Sequence, residues 1–203
     1  MKCYIIGAGE FTYPNFSFEK NDFIIAVDGG YIYAKEYNLP VNLLIGDFDS
    51  MEDTNIDVEK IVLPKEKNET DTYVAICEAI KRGYKEIILL GCMGKRLEHT
   101  IANIQILVNF TLKGINIKMM DNNSTVFILT ENNEYYFDEV YSYISVFSYS
   151  PSSTISIKGL KYNLEKYTLN NSFPLGIDNE ALSKKGYLKI YNGIVLVITS
   201  INN

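Results

Sequence analysis

The sequence has no tryptophan, a single histidine at position 99, and three cysteines in 203 residues. Cys3, Cys77 and Cys92 are odd in number and far apart, and they lack the paired spacing of a zinc site or a disulfide framework. A reducing cytoplasm is the simplest compartment for them. No apolar run is long enough to span a bilayer. The amino terminus, MKCYIIGAGE, passes from a short apolar run into glycines with no n-region, h-region or cleavage site of a secretory signal. Positive charge is in deficit: 19 Lys and Arg stand against 25 Asp and Glu, a formal net charge of −6. Such a chain repels phosphate backbones, so nucleic acid is not its expected partner, and an anionic ligand must be met by local donors or a metal. Internal repeats, a GxxxxGK[ST] loop and the protein-kinase signature set are also absent.

What is present is an ordinary globular composition, 47% hydrophobic and 22% charged, with length for one sizeable core or two small ones. Short apolar runs at residues 4–6, 23–27, 43–45, 60–63, 86–90 and 115–119 read as buried strands. Between 70 and 81, Tyr73, Ile76, Cys77 and Ile80 recur at helical spacing until Gly83; after Gly94, Ile101, Ile104, Val108 and Leu112 do the same until Gly114. Alternating strand and helix predict a parallel sheet covered on both faces, with ligands at the carboxyl ends of its strands. From Ser124 the pattern changes to short β-branched and aromatic runs divided by Asn, Ser, Pro and Gly, an all-β reading. The expected organisation is therefore an α/β domain over residues 1–122 and an antiparallel β-sheet domain over 123–203, with the boundary in Asp121-Asn122-Asn123.

Polar residues crowd the predicted strand ends. Gly7-Ala8-Gly9 and Asp28-Gly29-Gly30 let backbone approach a ligand and expose N–H groups, although such turns also occur for purely local reasons. In Gly46-Asp47-Phe48-Asp49-Ser50, an extended segment would point both carboxylates one way and Phe48 the other. Paired carboxylates suit Mg²⁺, which takes its remaining ligands from water and phosphate; the same acids could instead cap loop amides. Lys67, Asn68, Thr70 and Asp71 open a predicted helix, whose free N–H groups suit phosphate and whose side chains equally suit capping. Gly94, Lys95, Arg96, Glu98, His99 and Asn103 gather within two turns of the next helix. Together they describe a cleft with carboxylates for a cation, basic side chains and glycine-lined turns, the requirements of phosphoryl transfer.

Asp28-Gly29-Gly30, the GDFDS stretch, Lys67 through Thr70-Asp71, and Gly94-Lys95-Arg96-Leu97-Glu98-His99 with Asn103 resemble, in order and spacing, the thiamine pyrophosphokinases. Gly159-Leu160-Lys161-Tyr162 and Gly176-Ile177-Asp178-Asn179-Glu180 resemble that family's later motifs, so the likeness covers nearly the whole chain. The resemblance implies an amino-terminal α/β nucleotide domain, a carboxyl-terminal β-sandwich that binds thiamine and dimerises, and a homodimer with active sites between subunits. It implies pyrophosphate transfer from ATP to the thiamine hydroxyl, releasing AMP. Carried over by motif, Asp47, Asp49 and Asp71 would hold Mg²⁺, and Asp28, Gly29, Gly30, Lys67, Thr70, Gly94, Arg96, His99 and Asn103 would meet ATP. Asp49, Asp71 and Arg96 would be catalytic, and Asp178 and Asn179 would meet thiamine. The chain departs from the family pattern at Asn68 and Glu98, where Asp is usual, and at Asp178, where Ser is usual. Two rival readings remain: a metal-dependent nucleotide-sugar transferase, which can use the same Asp-x-Asp, and a non-catalytic ATP or thiamine-phosphate sensor.

Overall fold

Runs of β-branched and aliphatic residues, bounded by glycine, lay down the first sheet. The computed structural model describes residues 1–14, 16–47, 57–64, 66, 68–137, 142–181 and 186–201. Phe48, Asp49, Ser50 and Lys67 lie outside these, and with them the predicted orientation of the two GDFDS carboxylates. The chain forms two compact units, Met1–Asn122 and Asn123–Asn203.

In the first unit, strands β1 (Cys3–Ile6), β2 (Phe23–Val27), β3 (Leu43–Gly46), β4 (Glu59–Val62), β5 (Glu86–Leu90) and β6 (Asn116–Met120) run parallel in the order β6-β5-β1-β2-β3-β4. Every residue of β1 and β3 is buried, as expected for strands covered on both faces. The chain moves outward from β1 to β4, then crosses back to place β5 on the other side of β1. That reversal opens a crevice beyond the carboxyl ends of β1 and β5.

β4 departs from the buried-strand reading. It lies at the end of the parallel order, and its Val62 is 69% exposed. Arg82 ties it down by donating to Glu59 and, through Nε, to Glu78 at 2.8 Å.

Among the described residues, three helices connect these strands: α1 (Gly30–Glu36), α2 (Asp71–Lys81) and α3 (Leu97–Leu112). At the start of α2, the Thr70 hydroxyl accepts from the Tyr73 N–H at 3.2 Å, which satisfies one of the helix's orphan donors. α3 corrects the periodicity reading. Its buried face is Asn103, Ile106, Leu107, Val108 and Phe110, while Ile101 and Leu112 are 51% and 59% exposed. The helix is apolar over more than half its circumference, so of the periodic stripe only Val108 is buried, with Ile104 half-buried, and the rest of the core face lies elsewhere.

The second unit contains β7 (Ser124–Thr130), β8 (Glu134–Phe137), β9 (Tyr143–Ser148), β10 (Ser152–Lys158), β11 (Leu164–Asn170), β12 (Asn179–Glu180), β13 (Gly186–Asn192) and β14 (Ile194–Ser200). They pair antiparallel in two sets, β12-β9-β14-β7 and β11-β10-β13-β8. Alternate residues from both sets, among them Phe127, Val146, Ile155, Leu188 and Val197, form one buried cluster.

Candidate active site

The loops after β1 and β5 are fastened to each other before any ligand is considered. Gly7 N–H donates to Leu90 O at 2.8 Å, Gly9 N–H to Gly91 O at 2.7 Å, and Glu10 N–H to Met93 O at 2.8 Å. The approach requires glycine at position 9, because a Cβ there would run into the carbonyl oxygens of Met93 and Gly91. The Asp28 turn joins the same place. A Cβ on Gly30 would strike the Ile6 carbonyl, and one on Gly29 would lie 3.2 Å from the Ala8 Cβ.

These loops enclose a cleft of about 210 Å³ lined by Gly7, Ala8, Gly9, Gly91 and Cys92, by Thr72 of α2, and by Gly94, Lys95, Arg96, His99 and Asn103. Of the residues singled out by sequence, the structure therefore brings Gly94, Arg96, His99 and Asn103 into one wall. Asn103 is buried and its amide donates to Cys92 O at 2.8 Å, so it holds the β5 loop as well as facing the cleft. Arg96 Nε donates to Glu98 Oε1 at 2.7 Å, with both side chains largely exposed. The Glu98 backbone N–H and then the Arg96 guanidinium hold the Glu98 carboxyl below the usual carboxylate range. An exposed ion pair of this kind is weak. It leaves Arg96 available to exchange the carboxylate for a phosphate.

The acidic residues stand at neighbouring strand ends. Asp28, in the left-handed region with φ 46°, ends β2, and its carboxylate packs against Gly46 so closely that a Cβ at Gly46 would collide with Asp28 Oδ1. Asp47 is the next residue, and Asp71 sits in the first turn of α2. Among the described residues, no group of three or more acidic, histidine or cysteine side chains converges as a metal set; Asp49 lies outside those residues. The donor set itself is all carboxylate oxygen. That chemistry fits a hard divalent cation such as Mg²⁺.

Asp178 and Asn179 belong to the second unit. Asp178 is exposed with φ 52°, and its N–H donates to Ser145 Oγ at 3.1 Å. Asn179 is buried, and its amide makes two bonds to one residue: Tyr162 N–H donates to Oδ1 at 2.9 Å, and Nδ2 donates to Tyr162 O at 2.7 Å. The Tyr162 side chain is left 61% exposed beside them. Sequence reading placed Lys95 in the cleft cluster and Tyr162 in a family-like motif without giving either a role, and it did not select Thr72. The glycine-rich turn of Gly7 to Gly9 was noticed but not assigned to ATP.

Burial pushes the Cys92 thiol up to about 12, although it lines the cleft. It is therefore protonated at neutral pH and a poor nucleophile.

Comparison with known proteins agrees across the chain. Residues 16–119 match the family model described as thiamin pyrophosphokinase, catalytic domain, and residues 129–195 the one described as thiamin pyrophosphokinase, vitamin B1 binding domain. The thiamine pyrophosphokinase of Bacillus subtilis strain 168 is 28% identical over 185 residues, covering 87% of this chain and 86% of that protein. Among solved structures, that of thiamine pyrophosphokinase from Bacillus subtilis superposes with a TM-score of 0.90 at 23% identity over 100% of both chains. The yeast thiamin pyrophosphokinase structure does so with a TM-score of 0.80 at 14% identity, over 99% of this chain and 86% of that one. The two family models together match most of the parallel-sheet unit and of the antiparallel unit, and the chain belongs to the thiamin pyrophosphokinase family.

Proposed function

We propose that the cleft at the ends of β1 and β5 holds ATP and that the carboxylates beside it hold its magnesium ion, for the reaction of this family. The chain is an enzyme that transfers pyrophosphate from ATP to thiamine. The observation that carries the site assignment is the cleft lined by Gly7, Gly9, Gly94, Lys95, Arg96 and His99. It presents cationic side chains against a close, glycine-lined backbone where an α/β sheet takes its ligand. The nucleotide-sugar transferase and the sensor are not favoured by the relatives.

In this reading Arg96 releases Glu98 and pairs with a phosphate oxygen, which a guanidinium can meet with two parallel N–H groups. His99 contacts the nucleotide, which lies along the Gly7 to Gly9 turn whose Gly7 and Gly9 N–H groups are already given to Leu90 O and Gly91 O, with Asp28, Gly29, Gly30, Thr70 and Lys67 as further ATP contacts. Asp47, Asp49 and Asp71 would hold Mg²⁺, which neutralises charge on the triphosphate when bound. The thiamine hydroxyl oxygen forms a bond to the β-phosphorus of ATP while the bond from that phosphorus to the bridging oxygen of AMP breaks. Asp71 or Asp49 accepts the hydroxyl proton late, because a loose transition state needs little prior deprotonation. Most of the acceleration then comes from alignment and charge neutralisation.

The second unit is the thiamine-binding and dimerisation β-sandwich of this reading. The exposed ring of Tyr162, fixed by Asn179, offers the aromatic face for a thiamine ring, and the Asp178 carboxylate favours the thiazolium cation. The assembly is a cytoplasmic homodimer.

The deciding experiment follows AMP. It should appear only when ATP, thiamine and Mg²⁺ are all present. Hydrolysis of a nucleotide sugar would favour the transferase, and tight binding of ATP or thiamine without turnover would favour the sensor. Asp49→Asn should abolish turnover while leaving the unfolding transition in place; near-normal activity in that variant would overturn the metal assignment.

A further inference from the structure

Lys95 adopts φ 49°, in the left-handed region that a lysine occupies only at a cost of roughly 1–3 kcal/mol unless its surroundings hold it there. Its side chain explains the conformation. The ammonium donates to Ala8 O at 2.9 Å and to the Tyr33 hydroxyl at 2.5 Å, and it lies 5.1 Å from the centroid of the Tyr33 ring. The Tyr33 hydroxyl in turn donates to Gly9 O at 2.9 Å. The Tyr33 ring stacks on Phe11, with centroids 5.2 Å apart and planes at 14°.

One side chain from the β5–α3 loop therefore reaches the β1 loop directly at Ala8 and again, through α1, at Gly9. Ala8, Gly9 and Lys95 all line the cleft. An ammonium has three N–H donors. Among the described residues two are taken by Ala8 and Tyr33, so one remains for an oxygen of the ligand.

We infer that Lys95 is a positioning residue for ATP. With Tyr33 it forms a clasp that holds the Ala8–Gly9 backbone against the cleft in its binding shape, and it supplies a cation at the cleft wall. The inference rests on the cleft being the ATP site. The clasp acts on nucleotide binding, so its loss weakens ATP more than thiamine. A role confined to folding would instead lower thermal stability without separating the two substrates.

Lys95→Gly is the informative variant, because glycine tolerates φ 49° and removes only the side chain. Calorimetry with Mg·ATP on the intact protein should show Kd raised about tenfold, the scale of losing a hydrogen bond to a charged group. The melting temperature should be unchanged or higher, since backbone strain is relieved. Tyr33→Phe should weaken ATP in the same direction. The double variant should be no weaker than the weaker single, because the two side chains act as one unit. An unchanged ATP Kd in Lys95→Gly, an equal loss for thiamine and ATP, or losses that multiply in the double variant would each overturn the inference. AMP formation by the unsubstituted protein is read separately. Its absence would remove the proposed function, whereas the ATP Kd reports on Lys95 whether or not turnover occurs.

Discussion

Asn179 uses both ends of its amide on the backbone of a single residue, Tyr162, 17 positions earlier in the chain. A buried side chain so engaged keeps one N–H and one lone pair, and it fixes the backbone of Tyr162 beside the position proposed for thiamine. Asn179→Ala would leave the Tyr162 N–H and C=O without those partners, at a cost of about 1–3 kcal/mol. Urea unfolding measures that loss. Thiamine KM should rise further than ATP KM, because Tyr162 moves while the nucleotide cleft does not. At this scale the sequence was informative about residue type and silent about partners. Gly94, Arg96 and His99 were legible because adjacent polar residues at a strand end can only be a turn or a site. Lys95 was noticed but given no role, because its partners Tyr33 and Ala8 are connected to it by no local pattern. Tyr162 stood in a family-like motif, one of 16 tyrosines, but its link to Asn179 shows only in the structure.

Elements were legible in proportion to the contrast between their faces. β2 and β5 matched their runs end for end, since four successive buried apolar residues in each, after one half-buried residue, mark the limits sharply. α1 was missed: seven residues following a glycine pair are too few to show a helical period. β11 was missed because its sequence LEKYTLN is exposed nearly throughout and takes its conformation from pairing with β10. α3 was found but turned the wrong way. A pair of truncations tests that correction. Leu107→Ala should cost about 2–5 kcal/mol, as for a fully buried leucine, and Ile101→Ala less than about 1 kcal/mol. Equal losses in denaturant unfolding would restore the face that periodicity favoured.

Across the molecule, the cysteine inventory makes a prediction about pH. Burial pushes the thiols of Cys3 and Cys92 up to about 12 from an ordinary value of 9.0. Between those values the unfolded chain releases protons that the folded chain retains, so it binds fewer protons and stability falls as pH rises. The contribution is complete below about pH 9 and is lost on the way to about pH 12. Stability measured across that window should decline, and less so in Cys92→Ala once its own packing loss is allowed for. Under native conditions at neutral pH, iodoacetamide should label Cys77, which is exposed, and spare Cys3 and Cys92.

The strand order carries a consequence in time. β1 pairs on one side with β2, through Cys3 and Phe23, and on the other with β5, through Cys3 and Ile87. On a ribosome adding about 5–20 residues per second, the stretch between those two partners takes roughly 3–13 s to emerge. Throughout that interval β1, whose every side chain is destined for the interior, presents a bare apolar edge. Such an edge is a template for pairing with other nascent chains. The arrival of β5 removes this hazard and, in the same step, brings the β1 and β5 loops together. Assembly of the cleft proposed for ATP and protection from misassembly thus begin at the same moment of synthesis.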